Sequence, residues 1–308
     1  MSVPSRFDAV VAAIRRQADT EGLNIETQVK DSAAPSRSLE IRLTRQKALV
    51  SRWRVREVPK LLRAAIVIDD LGRDLEAANR LLRQPYPLTF SVLPELSHSS
   101  ETARAAHAAH RAVMLHLPMQ PEPGSGAQPG PGGILVGMPN DEVARTIRSD
   151  LNTVPFAEGV NNHMGSRATA DAELMAVVMK VLAARGLYFV DSRTTAETRA
   201  LAMARRQGLP AFYRSVFLDD TETVGYTLDQ LRTFRRVVRE RGVALAIGHP
   251  HPSTIEALKE FLPEFERDDI QLVPASQLVR LPEAARLEPP GRGSSFAQAR
   301  SPSQKRNR

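Results

Sequence analysis

Short β-rich runs alternate with amphipathic helical segments along residues 64–286, and no other feature of the sequence constrains the fold as strongly. Strands that alternate with helices in this way form parallel sheets with crossover helices. About eight such units in about 220 residues predict an α/β fold, an irregular (β/α) barrel of about seven or eight strands. The β-rich runs are 64–68, 88–92, 112–115, 159–161, 187–190, 211–217, 243–247 and 270–273, and the clearest helical patterns are 141–151, 172–185, 228–241 and 253–262.

The two ends of the chain differ from this central part. Residues 1–60 combine a helical pattern at 6–20 with short β-like runs at 23–29, 38–43 and 50–58, which predicts a small α+β accessory module. Residues 287–308 are rich in Pro, Gly, Ser and Arg, with one aromatic residue, so we expect a disordered basic tail. The predicted domains are therefore 1–60, 64–286 and 287–308.

Composition and charge exclude several classes of protein. The chain has no Cys, which rules out disulfides, thiolate nucleophiles and Cys-ligated metals. The net charge of +7 is concentrated at the ends, because residues 1–63 hold 13 basic and 7 acidic residues and residues 287–308 hold 5 and 1. The remaining body is mildly acidic, so we expect no nucleic-acid partner. No apolar stretch approaches the roughly 18 residues of a membrane span.

Polar side chains follow the predicted strands at the point where each strand ends. They are Asp69 and Asp70, His116, the run Asn161-Asn162-His163, Asp191 and Arg193, Asp219, and His249 and His251. Such residues also serve as helix caps and turn formers when taken singly. In parallel β/α folds, however, the carboxyl ends of the strands form the ligand site, so the recurrence on six strands predicts a functional pocket.

The residue types in this predicted pocket indicate a divalent metal. One carboxylate with two or three imidazoles suits zinc or a similar first-row ion, and a second aspartate stays available to move a proton. Aspartate pairs also hold magnesium in phosphate chemistry, which is the competing interpretation. The chain has no GxxxxGK[ST] or GxGxxG loop after a strand and no GxSxG motif, which disfavours nucleotide binding and serine hydrolysis.

One connection is too long for an ordinary link between a strand and a helix. Residues 118–140 contain six Pro and six Gly, and they follow a predicted strand directly. Such a segment is either a lid over the pocket or a mobile insertion, and its position directly after a strand favours the lid.

Five motifs resemble the divergent polysaccharide deacetylase family, in order and over about residues 64–282. The resemblance implies the distorted (β/α) barrel of the polysaccharide deacetylase superfamily and a metal-dependent amide hydrolase that acts on N-acetylated sugars. The motifs are Ile68-Asp69-Asp70-Leu71-Gly72, Leu115-His116-Leu117-Pro118-Met119-Gln120-Pro121, Gly159-Val160-Asn161-Asn162-His163-Met164-Gly165-Ser166, Phe189-Val190-Asp191-Ser192 and Gly248-His249-Pro250-His251.

The resemblance also implies roles for individual residues. Asp69 matches the catalytic base, Asp70 and His116 match metal ligands, and His249 matches the general acid, with His251 as the alternative acid. The second histidine of the superfamily's metal motif is Gln120 here, and His163 offers a replacement imidazole. The remaining strand-end residues would orient the substrate or hold the imidazoles: Asn161, Asn162, Asp191, Arg193 and Asp219.

Two alternatives remain open at this stage. The barrel could bind a glycan or peptidoglycan without cleaving it, in which case neither the metal nor Asp69 is needed. The resemblance implies a periplasmic or envelope-associated protein, whereas the first residues show no basic leader or small-residue cleavage site, so a cytoplasmic location is the alternative. The sequence does not predict the oligomeric state.

Overall fold

The computed structural model describes residues 6–30, 38–56, 62–124 and 126–280. The chain divides into two compact units, Met1–Leu61 and Leu62–Arg308. The predicted tail 287–308 lies outside the described residues.

The first unit is a helix followed by a three-stranded antiparallel sheet. Its elements are α1 (Arg6–Thr20), β1 (Asn24–Lys30), β2 (Ser38–Arg45) and β3 (Ala48–Arg56), with β2 in the middle of the sheet. Alternate residues of β2, namely Leu39, Ile41 and Leu43, are buried with Ile14 and neighbouring apolar side chains. This period of two places one face of the sheet against the helix, and it confirms the predicted α+β module.

The second unit is a curled sheet in which every strand pairs in parallel. The strand order is β10-β11-β4-β5-β6-β7-β8-β9, and β12 pairs with the start of β4. The strands are β4 (Leu62–Leu71), β5 (Thr89–Val92), β6 (Ala112–Met119), β7 (Gly159–Met164), β8 (Tyr188–Asp191), β9 (Ala211–Tyr213), β10 (Val216–Phe217), β11 (Val243–Gly248) and β12 (Ile270–Leu272).

Helices connect most of these strands and cover the sheet. The central strand residues are buried and apolar, as expected for parallel strands covered on both faces. The α/β fold and the irregular barrel are therefore confirmed. The helices are α2 (Leu75–Leu82), α3 (Ser99–Ala108), α4 (Asn140–Thr153), α5 (Ala172–Ala183), α6 (Ala200–Arg206), α7 (Val224–Arg241), α8 (Pro252–Arg267) and α9 (Ala275–Val279), with a 3-10 turn at Ala168–Ala170.

The predicted single strand at 211–217 is instead two short strands. The amide of Arg214 donates to the carbonyl of Asp191 at the end of β8, whereas the amide of Ser215 donates to the Leu245 carbonyl on β11. The first and last strands of the sheet are thus joined by only two residues, which is why the sheet must curl. The barrel is irregular because this segment changes partner at Arg214.

In the part of the chain that the structure describes, no helix combines the length and apolar character needed to cross a membrane.

Candidate metal centre and active site

The Asp69-Asp70 pair lies at an irregularity near the end of β4. The pairing of β4 with β5 shifts register between Ile68 and Leu71, and Asp70 has a positive φ of 57°. Neighbouring residues of a regular strand point to opposite faces. Here the bulge lets both carboxylates approach the same imidazole: His116 Nε2 lies 3.6 Å from Asp69 Oδ2 and 3.1 Å from Asp70 Oδ1.

Three predicted metal ligands form a small triangle of donor atoms. His163 Nδ1 lies 3.0 Å from Asp70 Oδ1 and 3.1 Å from His116 Nε2. The third side, between His116 Nε2 and Asp70 Oδ1, is also 3.1 Å. Strands β6 and β7 pair in register and end at the same edge, so Pro118 faces His163 and the two imidazoles meet across one strand pair.

The environment of the triangle keeps Asp70 charged and favours protonation of His116, the more buried of the two imidazoles. Burial alone would raise the pKa of Asp70, but contacts with His116 and His163 outweigh burial and hold that pKa far below its usual range. Burial alone would lower the pKa of His116, but the charges of Asp69 and Asp70 outweigh it and raise that pKa. A cluster with this balance attracts cations, whether protons or a metal ion.

The side chain of Asn161 connects the triangle to Asp69. Its Oδ1 atom lies 3.0 Å from His116 Nδ1 and accepts a hydrogen bond from the Ser91 hydroxyl at 2.6 Å. Its Nδ2 atom donates to Asp69 Oδ1 at 2.8 Å and to the Ser192 hydroxyl at 3.2 Å. Since an amide oxygen only accepts, His116 must carry a hydrogen on Nδ1 to bond it. In the neutral ring, the lone pair is then on Nε2 and faces the triangle.

His249 and Asp219 form a second pair beside the triangle. The two oxygens of Asp219 contact the ring and the backbone of His249, with Oδ1 3.0 Å from His249 Nδ1 and Oδ2 accepting from the His249 amide. The hydroxyl of Thr254 also donates to Asp219 Oδ2. Gly248 permits this approach, because a Cβ there would lie 3.2 Å from Asp219 Oδ2.

The Nε2 nitrogen of His249 faces the triangle. This atom lies 3.9 Å from Asp70 Oδ2. Burial alone would lower the pKa of His249, but the hydrogen bond and charge of Asp219, with Asp70 and Asp69, raise it to about 9. A His249 that carries its proton at neutral pH is suited to donate it.

His251 is a more exposed neighbour of His249, with 33% of its side chain exposed against 20%. The centroids of the two rings are 5.7 Å apart, and His251 Nδ1 lies 3.5 Å from Glu222 Oε2. Asp219, His249 and His251 form a second group whose ligand atoms lie within 4.8 Å of one another. Asp219 already accepts three hydrogen bonds, so this group is less free to bind a metal than the triangle.

The other predicted substrate residues are mainly buried. Asn162 bonds the Met164 carbonyl and the Ser192 amide. Asp191 accepts from the Arg193 amide and the Thr198 hydroxyl, and burial raises its pKa despite these bonds. The side chain of Arg193 is partly exposed, and its guanidinium carbon lies 5.5 Å from the centroid of the Tyr213 ring.

Sequence reasoning missed several residues that support the site. Ser91 is a polar residue in the four-residue strand β5, all of whose residues are buried. A serine within a predicted buried strand was the available sequence signal. Nothing in the sequence pattern pointed to Arg214 as a residue that supports the site. Its guanidinium donates to the carbonyls of Ser192 and Arg193 and lies over the ring of Phe217, which in turn meets His249 edge to face. Burial lowers the pKa of Arg214 to about 10, so it stays charged at neutral pH.

The Pro- and Gly-rich segment 118–140 is anchored close to the site. Gln120 Oε1 accepts a hydrogen bond from the Val136 amide, and the main chains of Gln120 and Ile134 pair. Gln120 therefore holds the base of the segment, and its side-chain oxygen is engaged there. Further along, Gly132 lies against the carboxylate of Asp150 on α4, where a Cβ would collide with that carboxylate.

Comparisons with known proteins agree with this architecture. Residues 66–279 match the family described as divergent polysaccharide deacetylase. The uncharacterized protein YibQ of Escherichia coli K12 is 39% identical over 227 residues, which cover 73% of this chain and 70% of that protein. An uncharacterized protein of Haemophilus influenzae is 36% identical over 216 residues, covering 70% and 76%.

A solved structure shares the fold. The crystal structure of the uncharacterized protein ATU2773 from Agrobacterium tumefaciens C58 has a TM-score of 0.68 and 24% identity, and the match covers 72% of this chain and 91% of that one. The family match spans the barrel from β4 to α9 and includes all eleven predicted site residues. This chain therefore belongs to the divergent polysaccharide deacetylase family.

Proposed function

We propose that this protein is a metal-dependent hydrolase that removes acetyl groups from an N-acetylated glycan. The triangle of Asp70, His116 and His163, with Asp69 beside it, carries the proposal. The family description points to the same chemistry.

The residues of the triangle fit a divalent cation such as zinc. Donor atoms at the corners of a tetrahedron around zinc, with bonds of about 2.0–2.1 Å, lie about 3.3 Å apart. The observed separations of 3.0–3.1 Å are close to that value. In addition, Asp70 Oδ1 is buried without a partner in hydrogen-bond geometry among the described residues, as expected for an atom that binds a metal. A bound divalent cation would activate water and polarise the amide carbonyl of the substrate.

Asp69 is the proposed general base. It is buried, and its Oδ1 atom is held by the Asn161 amide, which leaves Oδ2 directed towards the triangle at 3.6 Å from His116 Nε2. A carboxylate fixed in this way can accept the proton of an attacking water.

His249 is the proposed general acid. Asp219 fixes its ring and, with the nearby carboxylates, keeps it protonated near neutrality. Its Nδ1 atom contacts Asp219, and its Nε2 atom, at the other side of the ring, faces the triangle. It can therefore donate a proton to the departing amine, a role for which His251 is less well placed because it is more exposed and its Nδ1 atom contacts Glu222.

The buried strand-end residues support a positioning role. Asn161, Asn162, Asp191 and Asp219 make hydrogen bonds to neighbouring groups of the chain and have almost no exposed surface. Arg193, which is partly exposed, is the member of the predicted set best suited to touch a sugar. The segment 118–140 would close over the glycan.

A second function, glycan binding without cleavage, is favoured by one observation. Gln120 occupies the position of a metal-binding histidine in the superfamily motif, and its side chain holds the segment 118–140 instead. A binding protein would use the same polar edge to recognise a glycan or peptidoglycan. For either function we propose the periplasm or cell envelope as the location, because the family description implies a polysaccharide substrate.

Release of acetate separates the two functions. We expect the zinc-loaded protein to release acetate from N-acetylglucosamine oligomers or from peptidoglycan, and a chelator to abolish the release. Acetate release that is unchanged after removal of all metal would contradict the metal-dependent function. Tight glycan binding with no acetate release in any metal-loaded form would favour the binding function.

A further inference from the structure

The hairpin formed by β2 and β3 in the first unit has an unusual surface. The described residues include five exposed large apolar side chains, and three of them lie within five residues of β3: Leu49 is 59% exposed, Val50 55% and Trp53 44%. Large exposed apolar side chains that cluster in this way mark interaction sites.

The shape of the hairpin displays this group. Gln46 and Lys47 both have positive φ angles, 49° and 68°, and form a two-residue turn closed by the Arg45–Ala48 pair. The register then shifts, because Thr44 pairs with Leu49 whereas Leu43 pairs with Ser51. Val50 is therefore an additional residue on β3, and this bulge allows two consecutive apolar side chains to be more than half exposed.

The charged residues of the segment 44–54 all have one sign. Residues 44–54 contain four basic residues, Arg45, Lys47, Arg52 and Arg54, and no acidic residue. All four are exposed. The nearest acid on β2, Glu40, is only 4% exposed and contacts Arg42 and Arg52, so it adds little negative charge to the surface.

We propose that residues 44–54 dock this protein on an anionic lipid surface. Aliphatic side chains and a tryptophan would enter the headgroup region, where tryptophan is enriched, and the flanking Arg and Lys would contact lipid phosphates. Leu49 pairs with Thr44 and Trp53 pairs with Ile41, so their side chains lie on opposite faces of the sheet. The open edge of β3 would therefore meet the lipid, so that side chains of both faces enter the headgroup region. The inference is independent of the deacetylase function.

Charge complementarity favours lipid over a second copy of the chain. β3 is an edge strand, and two copies could pair along it. That pairing would bring eight cations together with no acidic residue of either 44–54 segment between them. An anionic membrane neutralises the same cations.

The intrinsic fluorescence of the protein provides a direct test, since Trp53 is the only tryptophan in the chain. We expect vesicles with about one third phosphatidylglycerol to shift its emission to shorter wavelength, and brominated acyl chains to quench it. Phosphatidylcholine vesicles should give neither effect. Because each basic residue near an anionic surface contributes a factor of about five, binding should weaken sharply as salt is raised.

Variants of the full chain identify the hairpin as the contact. The L49S/V50S double variant should lose at least about tenfold in vesicle affinity, and K47Q about fivefold. The matched control is F156S, which removes an apolar side chain of similar exposure, 50%, from the second unit and should bind like the wild type. Circular dichroism would show that each variant is folded.

Three results would overturn the proposal. One is vesicle binding that L49S/V50S leaves unchanged while F156S reduces it. Another is a blue shift that depends on protein concentration without lipid, which would indicate self-association. The third is an emission shift produced by an acidic polypeptide such as polyglutamate but not by anionic vesicles.

Discussion

The Nδ1 atom of His163 lies 3.1 Å from the Nε2 atom of His116, although 47 residues separate the two histidines. If both nitrogens carried hydrogens, the two N–H groups would repel each other at this distance. The contact is favourable when one nitrogen donates to the other, or when both direct lone pairs at the same cation. Asp70 Oδ1, 3.0–3.1 Å from each nitrogen, supplies the negative charge that favours the cation.

Removing one imidazole should remove the metal. We expect the wild type to bind one zinc ion per chain in calorimetry, and His163→Ala to lose most of that affinity because two protein ligands remain. His107→Ala is a control on an exposed histidine of α3 and should bind zinc normally. If His251→Ala lost zinc while His163→Ala retained it, the metal would belong to the group around Asp219.

The Ser91 hydroxyl should control metal affinity through Asn161. Ser91→Ala removes a donor to Asn161 Oδ1, so the amide is less firmly held in the orientation that places a lone pair on His116 Nε2. Changes to groups that orient metal ligands typically reduce metal affinity by about 10- to 100-fold, and we expect a loss in that range.

The matched control for Ser91→Ala lies on the same strand. Thr89, the first residue of β5, is also buried, and its hydroxyl accepts a hydrogen bond from the Ala275 amide at the start of α9. Thr89→Val should lower the melting temperature without changing zinc affinity. An equal loss of zinc affinity in both variants would mean that β5 acts only through general stability.

Stability should fall as pH rises because of Asp150. Neither of its oxygens has a hydrogen-bond partner among the described residues, and burial together with the charge of Glu95 raises its pKa to about 8. The unfolded chain releases this proton above its ordinary pKa of about 4, whereas the folded chain holds it. The free energy of unfolding therefore falls between about pH 4 and about pH 8, by several kcal/mol at most. Above about pH 8 this carboxyl group causes no further fall.

Asp150→Asn tests this pH dependence, because it keeps the shape and removes the charge. The variant should be more stable than the wild type by a few kcal/mol at pH 8.5, and the difference should shrink towards pH 4. Asp141→Asn, on the same helix but exposed, should show no such pH-dependent gain. Parallel unfolding curves for wild type and Asp150→Asn at every pH would contradict the assignment.

Gln120 should hold the base of the segment 118–140. Gln120→Ala leaves the Val136 amide without its acceptor, so amide exchange at Val136 should increase and turnover should fall. Ser166→Ala, which removes the acceptor of the Glu122 amide on the same segment, is the matched comparison. If exchange near Val136 were the same in Gln120→Ala and wild type, other contacts would hold the segment.

The sequence predicted the strands and their polar ends because both depend on local patterns. Buried parallel strands are apolar on both faces, and ligand residues follow them at one edge. The sequence did not show the bulge at Asp70, because its positive φ depends on the pairing of β4 with β5. The split at Arg214 was also hidden, since it results from two neighbours, β8 and β11, that diverge there.

The sequence also did not show that Asn161 and Asn162 have different hydrogen-bond partners. Adjacent residues of a strand point to opposite faces, but the sequence does not say what each face meets. Asn161 meets His116 and Asp69, whereas Asn162 meets the Met164 carbonyl and the Ser192 amide. Only the packing of β7 between β6 and β8 determines these partners.

The rate of acetate release by zinc-loaded Asp69→Asn, measured beside the zinc-loaded wild type, tests the central claim most directly. The substitution keeps the shape of the side chain and removes the base, while the three zinc ligands stay in place. We predict one bound zinc in both proteins and a loss of about 10² to 10⁴ in turnover for the variant. Acetate release at the wild-type rate by Asp69→Asn with its zinc bound would contradict the account.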